Sequence, residues 1–262
     1  MIIKGGKFSL DPGAAFGTTP RSVWSRYVQT NDQYRIDMDT NLVLAGSEGK
    51  KVLIDSGVGP IHNERFAALF QVKPRADLIQ TIQSHSEGKL DIIVHSHLHF
   101  DHAGNSEQLL KLNRGAILLA QLSEKRDLRR PNELTAVSYD SIARLNRDIT
   151  GIDGSRRITS WLSVLHTGGH TAGHQSIVFR SGTRKFIYLG DLAPTPFNLK
   201  PARITGVDTY PLESLAWKKK LVAKAIRESM VCIFNHDTSV PAATVSGTVE
   251  KPEFTPFDLV TY

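Results

Sequence analysis

Cysteine is nearly absent from this sequence: Cys232 is the only one in 262 residues. A lone cysteine excludes an internal disulfide framework and a thiolate-rich zinc site. Within "MVCIF" it reads as a small buried apolar residue. Long apolar runs are missing too, and none approaches the roughly 18 residues that a membrane helix requires. The opening "MIIKGGKFSLDPG" lacks the apolar core of a secretory leader, so a cytoplasmic protein with no membrane partner is expected. Dense blocks of positive charge are also wanting, although the net charge is +6. The tightest basic runs, "KRDLRR" (125–130) and "WKKK" (217–220), fall in helical patterns and read as solvated faces. Without a concentrated basic arm, nucleic acid is not expected as a partner. Repeats, low-complexity segments and obvious linkers are lacking as well, so one domain over residues 1–262 is expected.

What is present is a series of strand-length apolar runs ending in small or polar residues. They are "NLVLAG" (41–46), "KVLIDSG" (51–57), "LDIIVHS" (90–96), "GAILLA" (115–120), "SVLHTGG" (163–169), "QSIVFRSG" (175–182), "KFIYLGD" (185–191) and "VCIFNHD" (231–237). Helical patterns stand between some of them: 64–70, 75–85, 105–113 and 211–229. Near-continuous apolar strands imply sheets covered on both faces. Strands mixed with helices imply a layered α/β domain. His95, His97, Asp191 and His236 fall at or just past the ends of such runs, and His170 follows another. In α/β folds that address is where ligands bind.

The densest chemistry is "HSHLHFDHAG" (95–104), which holds four of the chain's ten histidines, His95, His97, His99 and His102, together with Asp101. Imidazole and carboxylate without thiolate suit zinc, iron or manganese in a non-structural site. On an extended segment, His97, His99 and Asp101 alternate onto one face. A turn into a helix would then swing His102 back, with Gly104 giving backbone freedom and Asn105 or Ser106 as N-cap. The string can thus aim His97 and His99 at one point, and Asp101 and His102 at a neighbouring one.

His97-Leu98-His99-Phe100-Asp101-His102 resembles the signature of the metallo-β-lactamase superfamily, and further pieces follow in that family's order. "HTGGHTAGH" (166–174) resembles its third-histidine motif, "YLGD" (188–191) its bridging-aspartate segment and "FNHD" (234–237) its final histidine. "VLIDSG" (52–57) resembles its early Asp-Thr-Gly strand, with Ser56 in place of threonine. The resemblance implies an αββα sandwich of mixed sheets with the metals at one edge. It implies a first metal on His97, His99 and His170, a second on Asp101, His102 and His236, and Asp191 bridging both. The implied cofactors are two divalent ions, zinc first, with manganese, iron or cobalt as alternatives. His95 reads as strand-end structure, His174 as a supporting residue, and His62, His85 and His166 as structural. Asp55 is open between orienting a ligand histidine and capping its turn.

Two such metals can share a water and make it hydroxide near neutral pH, so hydrolysis is expected, with Asp101 and Asp191 holding the centre and moving protons. "HSHLHFDHAG" and "GHTAGHQS" are similar to the N-acyl-homoserine lactonases that quench bacterial signalling. "DPGAAFGTTPRSVWS" (11–25), "GDLAPT" (190–195) and "DTYPLESLAWKK" (208–219) also resemble a lactonase-like branch, which adjoins enzymes acting on organophosphate triesters. The expected substrate is therefore a small molecule with an apolar acyl or aryl part. A phosphoesterase acting on triesters or RNA is the alternative. One departure stands out: where those lactonases carry a tyrosine, three residues after the bridging aspartate, this chain has Pro194. Tyr210 is the candidate substitute as a catalytic hydroxyl. Phe16, Trp24 and Phe100 are candidates for an apolar wall. The stretch 125–146 reads either as a lid or as a homodimer contact.

Overall fold

The computed structural model describes residues 1–262, apart from the side chains of residues 140 and 141. The first sheet is built from β1 (Ile2–Leu10), β2 (Ile36–Ser47), β3 (Lys50–Ile54), β4 (Lys73–Pro74), β5 (Ile92–Val94), β6 (Ile117–Gln121) and β7 (Ile149–Ile152). Their order is β4-β1-β2-β3-β5-β6-β7. β1, β2 and β3 pair antiparallel, whereas β3, β5, β6 and β7 run parallel. The second sheet holds β8 (Arg156–Arg157), β9 (Leu162–His166), β10 (Gln175–Ser181), β11 (Arg184–Tyr188), β12 (Val231–Ile233), β13 (Ala242–Gly247) and β14 (Pro252–Pro256). These lie in reverse numerical order, and β11–β12 is their parallel pair.

Alternation along each strand builds the layers. Val52, Ile54, Ile92 and Val94 of the first sheet meet Val164, Ile177, Tyr188 and Ile233 of the second in one core. Their neighbours Leu53, Ile93 and Leu118 face the other way, onto helices. The helices are α1 (Pro12–Phe16), α2 (Arg21–Trp24), α3 (Glu64–Leu69), α4 (Leu78–His85), α5 (Phe100–Ala103), α6 (Ser106–Leu112), α7 (Leu122–Arg129), α8 (Ala136–Tyr139) and α9 (Pro211–Arg227). Leu78 and Ile82 of α4, Leu109 of α6 and Leu128 of α7 cover the first sheet. On α9, Leu221, Val222 and Ala225 cover Ile187 and Cys232 of the second. The result is an αββα sandwich, as expected. Cys232 sits in that outer layer, where burial pushes its thiol up to about 12. Among the described residues, no helix is long and apolar enough to cross a membrane.

The strand-to-helix junction after β5 differs from the simple extended string. Residues between Val94 and Phe100 form an irregular loop, and Asp101 and His102 both lie in the single turn of α5. Gly104 has an ordinary helical φ of −63°. It is glycine because a Cβ there would come within 2.2 Å of the Gly59 backbone nitrogen. Asn105 does not cap α6 through its side chain. Its amide instead donates to the Ser56 and Val58 carbonyls, both at 2.8 Å, tying the loop after β3 to the junction.

Candidate metal centre

Strand ends from both sheets converge on one edge of the sandwich. The loop after β5 supplies His97 and His99, and α5 supplies Asp101 and His102. The loop after β9 supplies His170, the turn after β11 supplies Asp191, and the segment after β12 supplies His236. Each of these loops follows a buried apolar strand, so hydrophobic burial of β5, β9, β11 and β12 is what fixes the donors in space. All seven residues meet there.

The donor atoms fall into two clusters. His97 Nε2 and His170 Nε2 lie 3.0 and 3.1 Å from His99 Nδ1. A tetrahedral zinc with bonds of about 2.0–2.1 Å sets its ligand nitrogens about 3.4 Å apart, so this trio is near ligand spacing. In the second cluster, His236 Nε2 and His102 Nε2 lie 3.3 and 3.5 Å from Asp101 Oδ2. Asp191 stands between: Oδ1 is 3.2 Å from both His102 Nε2 and His236 Nε2, and Oδ2 is 3.3 Å from His170 Nε2. Donor atoms of His97, His99 and His170, and likewise of Asp101, His102 and His236, all lie within 4.8 Å of one another.

The far side of three of the rings is fixed by a hydrogen bond, which aims the other nitrogen inward. His102 Nδ1 donates to Asp55 Oδ2 at 2.7 Å, His170 Nδ1 to Asp208 Oδ1 at 3.0 Å, and His236 Nδ1 to the Asp39 carbonyl at 2.8 Å. The inward Nε2 atoms of His102 and His236 are buried and have no hydrogen-bond partner. Orphaned buried ring nitrogens facing carboxylates, with their outer nitrogens tied down, are the donor chemistry of a metal site. The residues present therefore fit bound metal.

Charge follows the same division. Burial, with the positive charge of His102 beside it, holds His97 well below its usual pKa. Burial likewise lowers His99 to about 3, so both are neutral imidazoles, the form that binds metal. Burial also lowers His236, but Asp191 and Asp101 outweigh it and raise the imidazole to about 9. Asp191 is pushed up by burial, yet His236, His102 and His170 hold its carboxyl well below the ordinary range.

Several remaining sequence candidates have defined places. Asp55 orients His102 and also accepts from the Ser96 amide at 2.7 Å and the Tyr188 hydroxyl at 2.8 Å. His95 is buried against Ser106 Oγ at 2.7 Å. His174 is buried with Nδ1 2.6 Å from Thr167 Oγ1, and its ring centroid is 5.5 Å from that of His97. His166 bonds the Ala172 carbonyl, His85 packs on Tyr262, and His62 is exposed. Tyr210 is 44% exposed at the start of α9, where its amide donates to the Gly169 carbonyl.

A cavity of about 320 Å³ opens onto His99, Asp101, His170, Asp191 and His236. Its wall is aromatic, but with only one of the three residues expected. Phe100 belongs to it, joined by Phe8, Phe66 and Phe70. Phe16 and Trp24 do not: Phe16 stacks on Trp24 at 5.4 Å and meets Phe197 edge-on at 4.9 Å. The turn of α1 directs Ala14 and Ala15 to the cavity instead. Tyr210 is not among the lining residues, and Pro194 is. From the stretch 125–146, Leu134, Thr135, Val137 and Ser138 form one side of the mouth.

Three supports escaped the sequence reading: Asp208 on His170, Asn235, whose amide donates to Asp191 Oδ1, and the Asp39 carbonyl on His236. Asp208 stands in the quoted "DTYPLESLAWKK", but nothing in the string points it at His170.

The sequence profile of the metallo-beta-lactamase superfamily matches residues 35–228. This chain belongs to that superfamily. It is a hydrolase of that superfamily, with His/Asp groups able to bind metal. An N-acyl homoserine lactonase from a Bacillus species is 28% identical over 218 residues, covering 77% of this chain and 82% of that one. Among solved structures, a probable metal-dependent hydrolase from Staphylococcus aureus superposes with a TM-score of 0.86 at 23% identity, covering 99% of this chain and 97% of that chain. AidC, a dizinc quorum-quenching lactonase solved with a product, N-hexanoyl-L-homoserine, gives 0.75 at 17% identity, covering 99% and 94%. Both likenesses are of fold, and each covers 99% of this chain.

Proposed function

We propose that this hydrolase works as one domain over residues 1–262, using two divalent metal ions, zinc first, to open lactones of the N-acyl homoserine type or related neutral esters. His97, His99 and His170 would hold one ion, Asp101, His102 and His236 the other, and Asp191 would serve both through its two oxygens. Bound there, the ions supply Lewis acidity toward the ester oxygen and a water acidified to near-neutral pKa.

The carrying observation is the cavity over these donors. Phe8, Phe66, Phe70 and Phe100 line it beside Leu134 and Val137, and no lysine or arginine lines it among the described residues. An apolar wall suits an acyl or aryl group, at about 0.8 kcal/mol for each methylene buried. Beyond the ions themselves, a substrate carrying its own negative charge finds no lysine or arginine in that wall to meet it. This favours neutral esters over phosphodiesters and RNA. Asp101, 5% exposed and part of the lining, is the carboxylate placed to take a proton from the attacking water and return it to the ring oxygen that leaves as the acyl C–O bond breaks. Tyr210 takes part only if its ring swings from the start of α9 over the mouth. A Tyr210→Phe variant with unchanged metal content and reduced kcat would show that it does.

The test sets zinc-, manganese- or cobalt-loaded protein against an acyl-homoserine lactone, a neutral aryl phosphotriester and an anionic aryl phosphodiester, with Asp191→Asn as control. Lactone opening, no diester cleavage, and loss in the control are expected. Diester cleavage outpacing lactone opening would overturn the substrate class. Faster triester than lactone turnover would keep the neutral cavity but move the substrate to organophosphates.

A further inference from the structure

We propose that Glu124 is a positioning residue that holds the two loops of the His97–His99–His170 trio in register and ties them to the cavity wall. The proposal rests on the reading above that this trio binds metal.

Glu124 is fully buried near the start of α7, outside every cluster of donors. A buried carboxylate without a cation is costly unless its oxygens are filled by donors. Here they are, and from three separate segments. Oε2 accepts from the Leu98 amide at 2.8 Å and from the Tyr139 hydroxyl at 3.3 Å. Oε1 accepts from Thr171 Oγ1 at 2.5 Å and from the Gly173 amide at 3.1 Å. Leu98 is the residue between His97 and His99, and Thr171 directly follows His170. One side chain thus fixes the separation of two loops whose ring nitrogens, His99 Nδ1 and His170 Nε2, sit 3.1 Å apart.

Gly173 supplies an independent sign that the contact is built. A Cβ there would lie 2.6 Å from Glu124 Cγ and 2.7 Å from its backbone nitrogen, so only glycine lets this loop close onto the acid. The fourth partner extends the link outward. Tyr139 ends α8, its ring lies 5.3 Å from that of His99, and the same segment brings Leu134, Thr135, Val137 and Ser138 to the cavity.

A carboxylate is needed because all four partners can donate. A glutamine in the same place must turn its –NH2 toward either the Leu98 or the Gly173 amide. Neither backbone N–H can rotate away, so one loop is released. The second donor cluster does not depend on this acid, being braced by Asp55 and the Asp39 carbonyl.

The experiment titrates zinc or cobalt into metal-free wild-type, Glu124→Gln, Thr171→Val and Tyr139→Phe proteins against a chromogenic chelator. Thermal melting of each metal-free form runs alongside. Supporting residues around metal ligands typically carry 10–100-fold in affinity. Glu124→Gln is expected to weaken one site by that factor, alter the cobalt spectrum, and leave the other site within about threefold. Thr171→Val, which removes one donor only, is expected to shift the same site in the same direction and keeps the test open if Glu124→Gln does not fold. Tyr139→Phe is expected to leave both affinities and raise KM. A Glu124→Gln protein that melts earlier yet binds both metals like wild type would make Glu124 merely structural and overturn the proposal, as would equal weakening of both sites. A wild-type chain that takes up a single ion would overturn the two-metal reading alone. The Glu124 variant would then still be required to weaken that ion if the ion sits on the histidine trio. A wild type that binds none would overturn both.

Discussion

Asp55 offers a quantitative test, because it is a buried hub on a strained backbone. It is completely buried and sits at φ +59°, a left-handed conformation that aspartate and asparagine tolerate better than alanine. Its carboxylate accepts four hydrogen bonds: Ser96 N–H at 2.7 Å, Ser96 Oγ at 2.8 Å, His102 Nδ1 at 2.7 Å and Tyr188 Oη at 2.8 Å. Burial pushes this carboxyl up, but the His102 charge and hydrogen bond hold it well below the ordinary range. Asp55→Ala strands all four donors, each at about 1–3 kcal/mol, and adds about 1 kcal/mol of backbone strain. Relief of the desolvated charge offsets part of that, so the net loss falls near the low end, at about 4–5 kcal/mol. For a chain of this size, that lowers the melting temperature by roughly 10–20 °C. Asp55→Asn keeps the backbone preference and, with its –NH2 turned toward the Ser96 amide, the three bonds made by the other oxygen. Its cost is about 1–3 kcal/mol. Urea melts of the metal-free proteins decide the matter. An alanine variant within about 1 kcal/mol of wild type, or one more stable than the asparagine variant, would refute this account of the hub.

Asp208→Ala removes the acceptor that aims His170, and metal affinity measured by chelator competition is expected to fall about 10–100-fold. Leu134 is 87% exposed at the cavity mouth, so Leu134→Asp is expected to leave urea stability within about 0.5 kcal/mol. The same variant is expected to raise KM for long-chain acyl lactones more than for short ones, which a chain-length series checks. His236 carries a pKa raised to about 9 in the metal-free chain. A raised pKa stabilises the fold fully below the unfolded value of about 6.5 and loses that contribution as pH rises through about 9. Metal-free protein is therefore expected to lose stability over that window. Metal must displace the same proton, so its affinity is expected to rise with pH there.

Much of this was legible in the chain. The eight strand-length runs correspond to β2, β3, β5, β6, β9, β10, β11 and β12, because each buries apolar residues on both faces. β1 was not legible, since Gly5 and Gly6 interrupt "IIKGGKFSL". The strand survives them through a register shift between Lys4 and Lys7 against β2. β13 is built largely of small residues, and β14 has proline at both ends, so neither carries a strand pattern; pairing with each other and with β12 makes them strands. The helix expected over 75–85 starts only at Leu78, because Lys73–Pro74 pairs with β1 and Arg75 forks onto Asp77. The seven donors were readable because four sit in one short string and the rest follow strand-like runs. Apart from Asp55, the supports that orient them were not. Asp208 lies 38 residues from His170, Asn235 lies 44 from Asp191, and Glu124 lies 26 from Leu98. Spacing in sequence carries no trace of such contacts. The aromatic wall was legible only at Phe100, for the same reason: Phe8, Phe66 and Phe100 meet at 5.0–5.5 Å from three separate elements, whereas Phe16 and Trp24 found each other.

The central claim is that one carboxylate, Asp191, joins two metal sites into a single hydrolytic centre. Metal content per chain, measured by elemental analysis after dialysis of wild-type and Asp191→Asn proteins under equal free zinc, tests it most directly. Two ions per wild-type chain, falling below two in the variant together with lactone opening, is the predicted result. One ion per wild-type chain, unchanged in the variant while lactone turnover persists, would contradict it.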